Sequence, residues 1–168
     1  MRSWVVFKAP IKHALHELKY KNRRWLGEAL AIHLAPQIEK TGWEFDVLIP
    51  IPLSQQRRAE RGYNQVEQLA QPLSWIGGWN YRPEALSRVK HTQSQVSLSA
   101  VERKSNVKGA FSADAKLVSG KTVLLMDDVI TTGATVSEAA SALKSSGAQK
   151  VYAFSLARAL KQSDLQEI

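Results

Sequence analysis

The sequence contains no cysteine. That absence removes disulfides, thiolate zinc sites and cysteine nucleophiles, and it fits a reducing compartment. Also missing is any run of about 18 apolar residues, the length a membrane-spanning helix needs. The opening stretch MRSWVVFKAPIKHALHELKY lacks the uninterrupted apolar core of a signal peptide. The chain is therefore expected to work in the cytoplasm, with no export signal and no membrane span. There is no internal repeat and no low-complexity tract. What is present is 168 residues with 44% apolar content, enough for one domain with a sizeable core, so a single domain over residues 1–168 is expected.

Charge is distributed unevenly. The formal net charge is +8, with 18 Lys or Arg against 10 Asp or Glu up to Gly120 and 5 against 5 from Lys121 onward. Such an excess suits an anionic ligand, polyphosphate or nucleic acid, and equally an ordinary solvated surface.

Periodicity organises the chain. Ile11, Ala14, Leu15 and Leu18 predict a helix over 10–19 with Pro10 at its first position. Trp25, Leu26, Ala29, Leu30, His33 and Leu34 predict a second, with His33 a satisfied core histidine because no partner ligand stands at a metal-binding spacing. FDVLIPIPL reads as a buried strand closing at Pro50 to Pro52, followed by a basic loop. Asn64 and Glu67 resemble a capping box for a helix that Pro72 should stop or kink near Gln71. SWIGGWNYRP is a turn leading into a strand, and residues 88–110 are polar, basic and aperiodic, the composition of either a disordered segment or a functional lid. KTVLLM predicts a strand, 135–146 a helix capped by Gly147, and KVYAFSLA a last strand. The alternation predicts an α/β fold with a mainly parallel sheet and helices on both faces.

The chemistry concentrates in VLLMDDVITTGATVSEAASAL, residues 123–143. In an open parallel sheet ligands bind beyond the carboxyl ends of the strands, and the stretch after Met126 is such an end. Thr131, Thr132, Gly133, Ala134 and Thr135, opening a helix, offer free N–H groups, hydroxyls and a positive dipole end, which together make a phosphate cradle. Asp127 and Asp128 repel each other unless a cation or hydrogen-bond donors share them. Ribose hydroxyls with magnesium nearby would meet that need. A decoy is dismissed: SGKT at 119–122 ends like a nucleotide P-loop, but Ala115 stands where that motif needs glycine, and a strand follows it rather than precedes it.

VLLMDDVITTGAT resembles the 5-phosphoribosyl 1-pyrophosphate (PRPP) motif of type I phosphoribosyltransferases. IPIPLSQQRRAERGYNQVEQLA and RVKHTQSQVSLSAVERKSNVKGAF stand with it in the order and spacing of the ComF family of competence-associated phosphoribosyltransferase-like proteins. The resemblance covers about residues 10–157. It implies a type I phosphoribosyltransferase fold with a small N-terminal hood, residues 1–40. It places Asp127 and Asp128 on the ribose hydroxyls as catalytic and magnesium-binding groups, and Thr131 through Thr135 on the phosphate. Arg57, Arg58 and Arg61 are then candidates for the pyrophosphate, and Arg88, Lys90 and Arg103 belong to a flexible lid over 88–110. Two departures stand out: the chain lacks the cysteine-rich zinc module of many ComF proteins, and Thr131 stands where purine phosphoribosyltransferases often place an acidic base.

Two functions follow from the resemblance. One is binding of PRPP with magnesium, with transfer of the phosphoribosyl group to an unidentified acceptor, the reaction of a pentosyl-class glycosyltransferase. The other is a competence or DNA-uptake protein that handles single-stranded DNA without transfer, with Trp4, Trp25, Trp43, Trp75, Trp79 and Tyr81 available to stack on bases. A regulator sensing the sugar phosphate through the same pocket is a minor third. Fold does not decide among them.

Overall fold

A computed structural model of the protein describes residues 1–89 and 109–160. The central sheet has four strands, all parallel: β1 (Arg2–Val6), β6 (Lys150–Arg158), β5 (Thr122–Ile130) and β2 (Val47–Pro50), in that order across the sheet. Around it stand α1 (Ile11–Tyr20), α2 (Arg24–Glu39), α3 (Gln55–Arg61), α4 (Gln65–Gly77), the short α5 (Ala115–Val118) and α6 (Ala134–Ser145). A two-stranded antiparallel ribbon, β3 (Leu86–Arg88) with β4 (Phe111–Ala113), lies apart from the sheet and flanks residues 90–108, which are outside the described residues.

Side chains alternate along each strand, so the sheet buries two faces. Leu48, Leu124, Met126, Phe154 and Leu156 point into a core shared with α1, α2 and α4. Val47, Ile49, Val123, Leu125 and Ala153 point into the other, shared with α6 and the β3–β4 ribbon. The expected α/β architecture with helices on both faces is what the chain forms. Of the residues expected in a hood, Arg2–Val6 join the sheet as its edge strand, with Val5 paired to Ala157.

Several local expectations are corrected. The basic stretch after β2 is helix α3 rather than loop, because Ser54 caps it by accepting from the Arg57 N–H and Gly62 ends it with φ 78°. Pro10 takes the cap position before α1 rather than its first helical residue. Pro72 does not stop α4, which continues to Gly77. Its missing N–H leaves the Gln68 carbonyl without the usual helical donor, and Gly27 of α2 packs there so closely that a Cβ would lie 2.3 Å from that oxygen. The buried stripe of α2 is Gly27, Leu30, Ala31, Leu34, Ala35 and Ile38, which rotates His33 out of the core to an exposed stack on Trp4. Asn64 does cap α4, but Glu67 accepts from the Asn64 side-chain amide and from Arg58 instead of closing the reciprocal box.

The strand expected to end at Met126 runs on to Ile130. Pairing to β2 ends with Pro50 opposite Met126, where Ile51 N–H makes a last bond to the Met126 carbonyl, while β6 stays paired through Ile130 opposite Arg158. Asp127 and Asp128 therefore sit past the end of β2, held by β6 on one side and open to a cleft on the other.

Candidate functional site

The cleft at this sheet edge has a volume of about 640 Å³ and is walled by the end of α1, the β2–α3 connection, α3, the start of α4, β3 and the tip of β5. Asp127 and Asp128 form its floor, and the two carboxylates differ sharply. Asp128 is only 5% exposed. Its Oδ2 accepts from Gln65 Nε2 at 3.0 Å and faces Lys19 Nζ at 2.6 Å, while its Oδ1 accepts from the Val129 N–H at 2.7 Å. Burial works against its charge, but the Lys19 ammonium, the Gln65 amide and the Val129 N–H outweigh it and hold its carboxyl below the usual range. Asp127 accepts from the Asp128 N–H at 2.8 Å. Burial, reinforced by the charge of Asp128, pushes its carboxyl above the usual range.

The residues expected to hold phosphate follow directly in the chain. Gly133 precedes α6 with φ 80°, a left-handed conformation that a side chain resists, and its carbonyl already accepts the first helical bond from Ser137. The Thr132 hydroxyl accepts from the Ala134 N–H at 3.3 Å, and Thr135 lines the cleft. Thr131 and Thr132 are exposed at the positive end of the α6 dipole.

The arginines divide. Arg57 and Arg61, four apart on α3, share the face that lines the cleft. Arg58 falls on another face and pairs with Glu67 at 3.0 Å. Arg61 donates to Gln65 Oε1 and stands over the Tyr20 ring, 5.2 Å from its centroid. Arg88 reaches the cleft from β3, with its guanidinium 5.4 Å from the Phe111 ring. Burial lowers its pKa from the ordinary value, nearby Arg57 adds to this, and Asp127 opposes it. Lys90 and Arg103, with most of the expected lid, lie outside the described residues.

The model of the phosphoribosyl transferase domain matches residues 25–167. The chain belongs to the phosphoribosyltransferase family. Within it, the chain is of the ComF type. It is 36% identical over 159 residues to the DNA utilization protein YhgH of Escherichia coli (strain K12), covering 92% of this chain and 70% of the relative. It is likewise 36% identical over 158 residues to competence protein F of Haemophilus influenzae, covering 89% and 69%. Among solved structures, glutamine PRPP amidotransferase from B. subtilis superposes with a TM-score of 0.50 at 23% identity, over 79% of this chain and 25% of that one, a likeness of fold. The fold is that of type I phosphoribosyltransferases.

The sequence did not reveal the groups that settle the acid pair, Lys19 and Gln65. Lys19 belongs to a helix read only for its apolar stripe, and Gln65 sat unremarked beside the Asn64 cap. Tyr63, which donates to the Leu18 carbonyl at 2.8 Å and accepts from the Asn22 N–H at 3.0 Å, ties α1 to the α3–α4 corner. One signal was available: QRRAERGYNQ places Arg61, Tyr63 and Gln65 at alternate positions in a tight helix–helix corner. Of the six aromatics considered for stacking, Trp4, Trp43, Trp79 and Tyr81 pack against the core, and Trp25 and Trp75, 58% and 70% exposed, do not line the cleft. No helix among the described residues is long and apolar enough to cross a membrane.

Proposed function

We propose that the cleft binds PRPP, with the 5-phosphate on Thr131 through Thr135, the ribose over the acid pair and the pyrophosphate against Arg57, Arg61 and Arg88. The observation that carries this reading is the meeting, in one cleft, of Thr135 at the start of α6, just after left-handed Gly133, with an acid pair and the side chains of Arg57, Arg61 and Arg88. Each part has weak meaning alone. Together they match the three chemical parts of the ligand in order.

Magnesium fits as an ion that arrives with the ligand. Among the described residues no three acidic or histidine side chains gather to hold a metal, and both oxygens of Asp128 are already engaged. Asp127 would then be the protein group that holds the ion, a cation that prefers oxygen ligands. When bound, magnesium would offset pyrophosphate charge. The chain's own residues do the rest: Arg57 and Arg61 draw the departing pyrophosphate from C1, and the Asp127 carboxylate lies near the positive charge that develops on the sugar. No acidic side chain stands at Thr131 to deprotonate an acceptor, so the reading gives the acceptor its own nucleophilicity. Isothermal titration with PRPP and magnesium tests binding, and absence of heat at millimolar ligand would overturn it.

A second reading has its own support. The names of the relatives speak of competence and DNA utilization, and the chain carries a formal charge of +8. Single-stranded DNA phosphates would then enter the same cationic cleft, in the cytoplasm that the cysteine-free composition fits. Anisotropy of labelled DNA should fall steeply with salt, with a logarithmic slope of about 0.7 per phosphate neutralised, and PRPP should compete. Salt-steep binding that PRPP does not displace would place DNA elsewhere.

A further inference from the structure

Asp128 has the surroundings of an ion that is already neutralised. Lys19 Nζ lies 2.6 Å from its Oδ2, and Gln65 donates to the same oxygen at 3.0 Å. Both partners are themselves held. The Tyr63 hydroxyl bonds the Leu18 carbonyl and the Asn22 N–H, fixing the chain on either side of Lys19. Arg61 donates to Gln65 Oε1, which leaves the amide NH₂ of Gln65 as the end that faces Asp128. The neighbouring cations are drawn off elsewhere: Lys21 and Arg23 pair with Glu17 at 2.8 and 3.0 Å. Lys19 keeps 23% of its side chain exposed and lines the cleft, so its ammonium touches both the carboxylate and the ligand space.

We propose that Lys19 is the resident cation of the acid pair: its ammonium holds the place on Asp128 that a divalent ion would otherwise take, and presents its remaining N–H groups to a vicinal diol of the ligand. One hydroxyl oxygen of the diol accepts from Lys19 while its neighbour donates to Asp127. The ligand class is a furanose 5-phosphate with adjacent free hydroxyls, and any metal in the complex is carried by the ligand's diphosphate. Lys19 is a positioning residue here, and the inference rests on the sugar-phosphate reading of the cleft for its ligand but not for its cation.

The test separates the two. Manganese(II) is titrated into the ligand-free chain and the free ion followed by paramagnetic resonance. Wild type should leave the signal unchanged apart from weak surface binding. Lys19→Gln, which keeps a donor toward Asp128 but not the charge, should gain at least about tenfold in manganese affinity, because a unit charge within about 4 Å at an effective dielectric near 20 is worth more than that factor. Lys19→Met removes the charge with a different shape and should gain likewise, Lys19→Arg should behave as wild type, and Asp128→Asn added to Lys19→Gln should erase the gain. Equal manganese affinity in wild type and both neutral variants overturns the proposal, as does a gain in Lys19→Arg.

Ribose 5-phosphate, titrated in excess chelator, gives the ligand arm. Wild type should bind it without metal, and Lys19→Met should lose about tenfold, as expected for one charged hydrogen bond. Binding that requires magnesium in wild type overturns the diol role. Failure of every variant to bind any sugar phosphate overturns the PRPP reading, while the manganese result still decides the role of Lys19 as resident cation.

Discussion

The two walls of the cleft are built by different means. On one side strand β5, the acid pair, the Thr-Thr-Gly loop and α6 follow one another without interruption, so one contiguous stretch, Thr122 to Ser145, carries both carboxylates and the residues proposed to hold phosphate. On the other side Lys19, Arg57, Arg61 and Gln65 come from three helices and meet only through tertiary contacts. The contiguous wall supplies oxygen ligands and free N–H groups. The assembled wall supplies positive charge, and its Lys19 and Gln65 decide which carboxylate of the first is already spoken for.

The largest expected effect breaks the contiguous wall. Asp127→Asn together with Asp128→Asn should weaken PRPP binding by about 2–5 kcal/mol, the range for truncating a charged hydrogen-bonded site. Calorimetry finding equal affinity in the double variant would remove the acid pair from the ligand. Breaking the assembled wall should cost less. Arg57→Ala and Arg61→Ala should each lose about 1.5–3 kcal/mol of binding, the worth of a charged hydrogen bond. Arg58→Ala, whose side chain pairs with Glu67 on the surface, should change binding by less than about 0.5 kcal/mol. If Arg58→Ala matched the other two, the division of the arginines between faces of α3 would be wrong.

That contrast also explains what could be read in advance. The contiguous wall was legible because periodicity, small residues and the acid pair are local signals, and the fold class followed from the same alternation of apolar strands and helices. The other wall was visible only as a cluster of arginines. Ser54 and Gly62 contain the two ends of α3, yet without them recognised as caps the segment looked like a basic loop. His33 went astray because the apolar stripe of α2 was drawn through Trp25, whose ring is 58% exposed, when the helix in fact turns Gly27 and Ala31 inward to approach α4. A glycine in an apolar stripe carries no hydrophobic signal, although it marks where another backbone comes near.

Gly27 allows the assembled wall to be perturbed at a distance. Gly27→Ala would set a Cβ 2.3 Å from the Gln68 carbonyl oxygen and 2.9 Å from its carbon, so α2 or α4 must shift. The strain of overpacking, about 1–3 kcal/mol, outweighs the helix propensity that alanine gains, about 1 kcal/mol. Net destabilisation of about 1–2 kcal/mol is expected in denaturant unfolding. Hydrogen exchange should rise in the first turns of α4, which carry Gln65, and stay unchanged in α6. Equal loosening of both helices would mean that the two walls are not separable units.

The smallest effect probes the unequal carboxylates themselves. Burial and the neighbouring charge raise Asp127 in the folded chain, so the stability it contributes is fully present below the ordinary carboxylate range and is lost as pH rises through its raised value. Asp128 is lowered despite its burial, by Lys19, Gln65 and Val129, so its contribution is present above the ordinary range and is lost as pH falls through its lowered value. Asp127→Asn keeps an oxygen for the Asp128 N–H but removes the repulsion. In ligand-free thermal unfolding it should match wild type in acid and exceed it by about 1 kcal/mol, roughly 2–4 °C, on the mildly alkaline side. Asp128→Asn should show the opposite trend, falling below wild type as pH rises, because Lys19 loses its partner. The same pH profile for both variants would mean that Lys19 does not distinguish the two aspartates.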